Sequence, residues 1–130
     1  NIFYTYNWMT ERTKQIFTAA DITPQQFNIL RILRGSLPNP LSTLQIRERM
    51  LDKMSDTSRI VDRLIAKGLV KKGICKTDRR LVGVIITEKG KKVLEKLDLQ
   101  QDEMDNVIGN LSKKEALVLS ELLDKLRGSK

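Results

Sequence analysis

Residues 55–70 carry the sequence SDTSRIVDRLIAKGLV, and this stretch decides the fold. Its first residue, Ser55, is of a type that caps helices, and Gly68 near its end is of a type that stops them. Between the two lies one apolar stripe, formed by Ile60, Val61 and Leu64. We therefore predict a helix over residues 55–67. With a rise of about 1.5 Å per residue it would extend roughly 20 Å, which suits a DNA major groove.

The sequence changes its period directly after this helix. Residues 69–72 and 81–87 have the pattern of two short strands. A polar, charged segment lies between them, Lys76-Thr77-Asp78-Arg79-Arg80. The pattern predicts a β-hairpin with a basic tip.

Capping boxes mark two helices ahead of residue 55. In such a box, the side chains of the cap and of the third helical residue each accept the other residue's backbone N–H. The pairs are Thr23 with Gln26 and Ser42 with Gln45. The first box predicts a helix that Gly35 ends, and the second predicts a short helix that runs to about residue 51.

Three further helices complete the predicted order. We expect one over 2–20, a long one over 88–109, and one that ends near 127 and is opened by a capping box of Ser112 and Glu115. A short helix, a tight turn, a second helix and a basic hairpin follow one another as in a winged helix-turn-helix. The predicted fold class is therefore mainly α with a small β-hairpin wing.

The length of 130 residues fits one domain of common size. Within this single domain of 1–130, we predict a winged helix-turn-helix lobe over 23–90 that binds DNA. The terminal helices are more apolar than one winged domain can cover. We therefore expect residues 1–22 and 108–130 to be dimerisation helices.

The formal net charge is +8, and the excess lies in the middle third, where residues 41–87 hold eleven basic and five acidic side chains. Such a segment is typical of a polyanion-binding surface, although a lysine-rich solvated surface gives the same count. Histidine is absent, and Cys75 is the single cysteine. This composition argues against a His-based triad and a Cys/His zinc site. We expect no enzymatic activity, no metal and no cofactor.

The compartment follows from what the sequence lacks. No apolar run approaches the roughly 18–20 residues needed to cross a bilayer, and we find no signal peptide. The lone cysteine cannot form an internal disulfide. We expect a cytoplasmic protein without membrane contact.

Polar side chains on the predicted recognition helix and the hairpin tip form the expected DNA-binding set. Arginine can donate two hydrogen bonds to guanine or hold a phosphate, and hydroxyls at a helix start bond phosphates or base edges. On the helix we expect exposed Ser55, Thr57, Ser58, Arg59 and Arg63. At the hairpin tip the expected residues are Lys76, Asp78, Arg79 and Arg80. Two alternatives stay open: Ser55 only caps the helix, and Arg63 only pairs with Asp56 or Asp62.

The hairpin tip carries a carboxylate two residues before an arginine. Asp78 can brace the guanidinium of Arg80, so that less side-chain entropy is lost on binding. An arginine at such a tip can enter a narrow minor groove, where the negative potential is strongest. An ordinary salt bridge on a solvated turn explains the spacing equally well.

Two blocks of the sequence resemble the multiple-antibiotic-resistance regulator (MarR) family. Residues 56–70 are similar to that family's recognition helix and its exit into the wing. Residues 78–80 and 84–90 are similar to its wing tip, returning strand and next helix start. The resemblance implies a dimer that binds a pseudo-palindromic operator and usually represses. It also implies that Arg80 is the minor-groove arginine and that Asp78 braces it.

The chain departs from the family pattern in two places. The family often has a glycine and a small apolar residue in the turn of the helix-turn-helix, where this chain has Leu51-Asp52-Lys53-Met54. Members that sense peroxide use a cysteine near the N-terminus, and residues 1–74 contain none.

The resemblance also assigns roles to apolar side chains of the terminal helices and of the second helix. The expected dimer interface includes Ile2, Tyr6, Met9, Leu119, Leu122, Leu123 and Leu126. A small aromatic effector would be held by Trp8, Phe17 and Phe27. The alternative for both sets is that they form the core of one chain.

The function predicted from these observations is a sequence-specific DNA-binding transcriptional regulator. We expect a repressor that acts as a homodimer on double-stranded DNA and that a small molecule can release. Two alternatives stay open. One is a winged-helix module that binds proteins rather than DNA. The other is a redox sensor that uses Cys75, whose pKa nearby lysines would lower.

Overall fold

The computed structural model describes residues 1–74, 82–106 and 109–128. The chain divides into two compact units, one of residues 15–99 and one of residues 1–14 with 100–130. In the described residues, the elements are α1 (Ile2–Ala19), α2 (Pro24–Ser36), α3 (Thr43–Arg49), α4 (Thr57–Ala66), β1 (Val70–Ile74), β2 (Val82–Ile86), α5 (Glu88–Asp98), α6 (Gln101–Asp105) and α7 (Lys113–Leu126). The predicted mainly helical fold with one β-hairpin is confirmed.

Helix α2 is the centre of the larger unit. It contacts α3, α4, α5 and β2. Three of its side chains, Ile29, Leu30 and Leu33, are fully buried. The neighbouring elements bury a matching apolar set, which includes Ile46, Val61, Leu64, Val70, Val84, Ile86, Leu94 and Leu97. Burial of this apolar surface holds the three helices and the hairpin on α2.

The three predicted capping boxes are all present. They join Thr23 with Gln26, Ser42 with Gln45, and Ser112 with Glu115. In the last pair, the backbone N–H of Ser112 donates to the Glu115 carboxylate, and this bond holds the pKa of Glu115 below its ordinary value. Each box satisfies backbone N–H groups that a helix start would otherwise leave unbonded.

The hairpin pairs with a third backbone segment that the sequence analysis did not predict. Strands β1 and β2 pair antiparallel, with Val70 opposite Ile86. On the other side of β2, Leu41 exchanges two backbone hydrogen bonds with Val84, of 3.0 and 2.7 Å. Gly83 permits this approach, because a Cβ there would lie 2.5 Å from a Pro40 side-chain carbon. The segment 36–40 was expected to be loop only, and the bridge that follows it had no signal in the sequence.

The predicted end of α2 and the predicted extent of the helix after the hairpin are wrong. Helix α2 continues past Gly35 to Ser36 and ends because Leu37, which precedes a proline, has φ −54° and ψ 141°, outside the helical region. The single helix predicted over 88–109 is instead α5 and α6. The buried stripe of α5 stops at Leu97, and Leu99 is 86% exposed, so no apolar packing continues the helix there.

Gly90 allows α5 to begin against the hairpin. The Thr87 hydroxyl caps this helix by accepting the Gly90 N–H at 3.1 Å. A Cβ at Gly90 would lie 2.3 Å from the carbonyl oxygen of Leu69. The backbone of α5 can therefore approach the start of the hairpin only where a side chain is absent.

We expect Gly90→Ala to lower the free energy of unfolding by about 1–3 kcal/mol, because the new methyl group meets backbone that cannot rotate away. Gly35→Ala is the matched control, since a Cβ there meets nothing within 4 Å. That change should raise the stability by about 0.5 kcal/mol through the better helix propensity of alanine. Urea unfolding measures both, and equal effects of the two substitutions would contradict the packing described for Gly90.

Candidate nucleic-acid interface

The orientation of α4 is set by its apolar side. Thr57, Val61 and Leu64 are buried, and α4 contacts α2 and α3. The opposite side is solvent-exposed and carries Ser58, Arg59, Asp62 and Arg63. The buried stripe thus turns hydroxyl, carboxylate and guanidinium groups outward on one short helix.

The start of α4 differs from the prediction. The cap is Asp56 rather than Ser55, and its Oδ1 accepts the backbone N–H of Arg59 at 3.3 Å. Thr57, which was expected to be exposed and to contact DNA, is 4% exposed and its hydroxyl donates to the sulfur of Met50 at 3.4 Å. Burial of Thr57 places the cap one residue later than predicted, at Asp56, and α4 begins at Thr57. Because its side chain is buried, Thr57 does not belong to the exposed set expected to contact DNA.

The two arginines of α4 are presented differently. The Arg59 side chain is 71% exposed, and its Nε lies 3.8 Å from Asp56 Oδ2. The Arg63 guanidinium forms no hydrogen bond or ion pair with the residues that the structure describes. Within that part of the chain, the alternative in which Arg63 only pairs with Asp56 or Asp62 is not found.

A groove of about 430 Å³ separates α3 from the start of α4. It is lined by Thr43, Leu44, Arg47, Ser55, Asp56, Thr57 and Ser58. Arg47 is exposed and was absent from the predicted set. The signal that could have identified it is its place on the first helix of a helix-turn-helix, which crosses the DNA backbone.

The turn between α3 and α4 lacks the glycine common in the resembling family, yet it is closed by hydrogen bonds. The Leu51 N–H donates to Asn28 Oδ1 at 2.9 Å, and the Met54 N–H donates to Asp52 Oδ1 at 3.0 Å. The Ser55 N–H donates to the Asp52 carbonyl at 3.3 Å. Two side-chain acceptors and one backbone carbonyl thus supply the hydrogen bonds that fix this turn, and Asn28 ties it to α2.

The far end of α4 is also fixed. Lys67 donates from Nζ to the carbonyl of Asp21, and its own carbonyl accepts Lys89 Nζ at 2.8 Å. Gly68 follows with φ +74°, a left-handed conformation that favours glycine. The Thr87 hydroxyl donates to the Gly68 carbonyl at 2.7 Å. The predicted stop at Gly68 is confirmed, and the recognition helix is held at both ends.

The hairpin tip lies outside the described residues. This applies to Cys75, Lys76, Asp78, Arg79 and Arg80, whose expected roles stay predictions. On the described part of β1, Lys71 and Lys72 are exposed. The basic character of the hairpin therefore begins on its strand.

The three expected ligand residues have different surroundings. Phe17 and Phe27 are buried, and their ring centroids lie 5.3 Å apart. These two side chains belong to the core of the larger unit, as the alternative held. Trp8, in the smaller unit, is half-buried with the Arg12 guanidinium 4.8 Å from its ring centroid.

The smaller unit exposes most of the residues expected in a dimer interface. The exposed fractions of Ile2, Tyr6, Leu122 and Leu126 all exceed one half, from 56% to 67%. Met9 and Leu119 are exposed as well, and Leu123 is half-buried. Six of the seven side chains are therefore exposed to solvent in a single chain, which is unusual for large apolar groups on a monomer.

The described residues contain no group of three or more His, Cys, Asp or Glu residues placed to hold a metal ion. No helix among them combines the length and apolar character that crossing a bilayer requires.

Comparison with known proteins gives consistent relatives. A family model described as the MarR family matches residues 20–81. The HTH-type transcriptional regulator MhqR of Bacillus subtilis (strain 168) is 32% identical over 108 residues, which are 81% of this chain and 72% of MhqR.

Two solved structures share the fold. One is a mutant MarR from E. coli complexed with operator DNA, with a TM-score of 0.82, 24% identity, and coverage of 96% of this chain and 89% of that chain. The other is BpsR of Bordetella bronchiseptica, whose DNA binding is regulated by 6-hydroxynicotinic acid. It has a TM-score of 0.83, 22% identity, and coverage of 99% of this chain and 91% of that chain.

We expect Asn28→Ala to lower the free energy of unfolding by about 1 kcal/mol, because the Leu51 N–H loses its acceptor. Asn28→Asp keeps an oxygen at that position and is the matched control. Hydrogen exchange of the Leu51 amide measures the effect directly, and it should be faster in the alanine variant alone. Unchanged exchange in both variants would show that Asn28 does not hold the turn.

Proposed function

This chain belongs to the MarR family of transcription regulators, and from that premise we propose that it binds double-stranded DNA through α4 and the hairpin. Helix α4 has ten residues and is about 15 Å long, a length that fits within a major groove. Ser58, Arg59 and Arg63 would contact bases or phosphates there. Two further residues line the groove beside α4: Arg47 on α3 would contact the phosphate backbone, and Ser55 would contact a base edge.

The observation that carries this proposal is the outward face of α4. Its buried stripe leaves two guanidinium groups exposed, and Arg63 has no partner within the described residues. An exposed, unpaired arginine breaks no ion pair within the chain when it binds a phosphate or a guanine edge, and the hydrogen bonds that it then donates are charge-assisted. The net charge of the surrounding segment has the sign that attracts DNA.

We propose that the hairpin tip enters the adjacent minor groove, with Arg80 inserted and Asp78 bracing it. Lys76 and Arg79 would contact phosphates. Support comes from the family pattern of the tip and from the strong negative potential of narrow minor grooves. Exposed Lys71 and Lys72 extend the same positive surface along β1.

We propose that the functional unit is a homodimer formed by the terminal helices. The support is the exposure of Ile2, Tyr6, Leu122 and Leu126, whose burial against a second copy would remove apolar surface from water. A two-fold dimer would place two α4 helices about one turn of DNA apart, roughly 34–36 Å. Such an arrangement fits a pseudo-palindromic operator, and a protein bound there would repress by occupying it.

We also propose that a small aromatic molecule regulates DNA binding, as 6-hydroxynicotinic acid does for BpsR. Because Phe17 and Phe27 lie against each other in the core, Trp8 is the one of the three expected residues that stays a candidate for this role. A regulator of this kind acts where the DNA is, and we therefore place it in the cytoplasm.

We expect Arg63→Gln to weaken operator binding about tenfold and Arg80→Ala several-fold, because each removes a contact with DNA. The operator would be obtained by selection of bound sequences from random DNA, and gel-shift titration would give the affinities. Lys113→Gln, an equal charge loss on the exposed surface of α7, is the control and should change affinity less than twofold. Wild-type affinity should also fall steeply with salt.

Three results would count against this assignment. Failure of the wild type to retard any DNA would favour a protein-interaction module. Unchanged affinity in both arginine variants, with circular dichroism showing intact folding, would contradict the proposed surface. A flat salt dependence would argue against phosphate contacts.

We expect Leu122→Glu to convert the dimer to a monomer, because a carboxylate would have to be buried in the proposed interface. Leu117→Glu is the matched control: Leu117 lies on the same helix, is 62% exposed, and lies about five residues away on a different face. Light scattering after size exclusion measures the mass of each variant. A wild-type mass of one chain at micromolar concentration would contradict the dimer.

A further inference from the structure

Asp56 places a carboxylate on the surface that the proposed function turns toward DNA. The side chain is 63% exposed and stands at the start of α4. It also lines the groove that Arg47 and Ser58 share. Since a negative charge at a DNA surface opposes binding, its presence there calls for a physical explanation.

The two oxygens of Asp56 act on one residue. Oδ1 accepts the backbone N–H of Arg59 at 3.3 Å, and Oδ2 lies 3.8 Å from Arg59 Nε. The first contact caps the helix, and the second draws the guanidinium toward the helix start. An ion pair this exposed adds little to stability. It does reduce the number of conformations that the arginine side chain samples before it binds.

The same carboxylate changes what the helix start can bind. The free N–H groups and positive end of a helix attract phosphate in the absence of an acidic cap. Asp56 already supplies the acceptor and repels a second anion. Binding of a phosphate at this end of α4 is therefore disfavoured, because the phosphate and Asp56 are both negatively charged. Binding of a guanine edge by Arg59 is not disfavoured in this way, because the acceptor atoms of guanine carry no formal charge.

We propose that Asp56 is a specificity-determining residue, which positions Arg59 for a guanine edge and excludes phosphates from the start of α4. Both effects raise the ratio of operator affinity to the affinity for unrelated DNA. Repulsion lowers the affinity for unrelated DNA, which rests on phosphate contacts, and positioning preserves the affinity for the operator. This inference rests on the proposed function, because it concerns discrimination between DNA sequences.

The test compares Asp56→Asn with Asp62→Asn. Asparagine keeps a side-chain oxygen that can cap the helix but carries no charge. Asp62 is exposed on the same helix and forms no ion pair with the described residues, so its substitution removes an equal charge without releasing an arginine. Gel-shift titration with the operator and with unrelated DNA of equal length gives the ratio of the two affinities.

For Asp56→Asn, we expect the affinity for unrelated DNA to rise about threefold, while operator affinity stays unchanged or falls. The ratio of affinities should thus fall about threefold or more, and selection from random DNA should show a relaxed guanine preference at one position of each half-site. For Asp62→Asn, the ratio should change less than twofold. The unfolding midpoint of Asp56→Asn should match that of the wild type, which separates this role from capping.

Equal rises in both affinities for Asp56→Asn, as simple charge removal would give, would overturn the inference. So would an unchanged guanine preference. Asp56→Ser, which also retains a cap without charge, repeats the comparison if the asparagine variant fails to fold. Failure of the proposed function is distinguishable, since it would appear as a wild type that binds neither DNA.

Discussion

The burial of one side of α4 is the constraint on which the rest of the interface depends. Thr57, Val61 and Leu64 lose their exposed surface, and α4 contacts α2 and α3. A helix rotated by one residue in either direction would expose this stripe and bury a charged side chain, Asp62 or Arg63, at a cost of several kcal/mol. The polar face is therefore not adjusted independently. The exposed side chains of α4 are those that the apolar packing does not bury. Hydrogen bonds of Asn28 before the helix and of Lys67 at its end hold the helix in this orientation.

Much of the fold follows from local patterns in the sequence. The capping boxes at Thr23, Ser42 and Ser112 and the stop at Gly68 depend on atoms a few residues apart, so sequence spacing is sufficient to predict them. The features that the sequence did not predict depend on distant partners. Leu41 pairs with a strand more than forty residues away, and no local pattern encodes that register.

The candidate site shows the same division. Exposure of Arg59 and Arg63 follows from the helical period, and the structure agrees with it. The cap at Asp56 does not follow, because Ser, Thr and Asp are similarly good caps and three candidates stand in succession. The choice among them is made by Thr57, whose burial beside Met50 fixes where the helix begins. A tertiary contact thus settled a question that local propensity left open.

The short bridge from Leu41 to β2 makes β2 the central strand of the small sheet, with β1 and Leu41 on its two sides. Strand β2 bonds on both sides, whereas the outer edge of β1 has no strand beside it among the described residues. An open edge of this kind invites unrelated chains to add a strand and aggregate. The exposed lysines at positions 71 and 72 place charge on that strand. Two lysines that extend the proposed DNA-binding surface along β1 therefore also discourage the addition of another strand to the sheet.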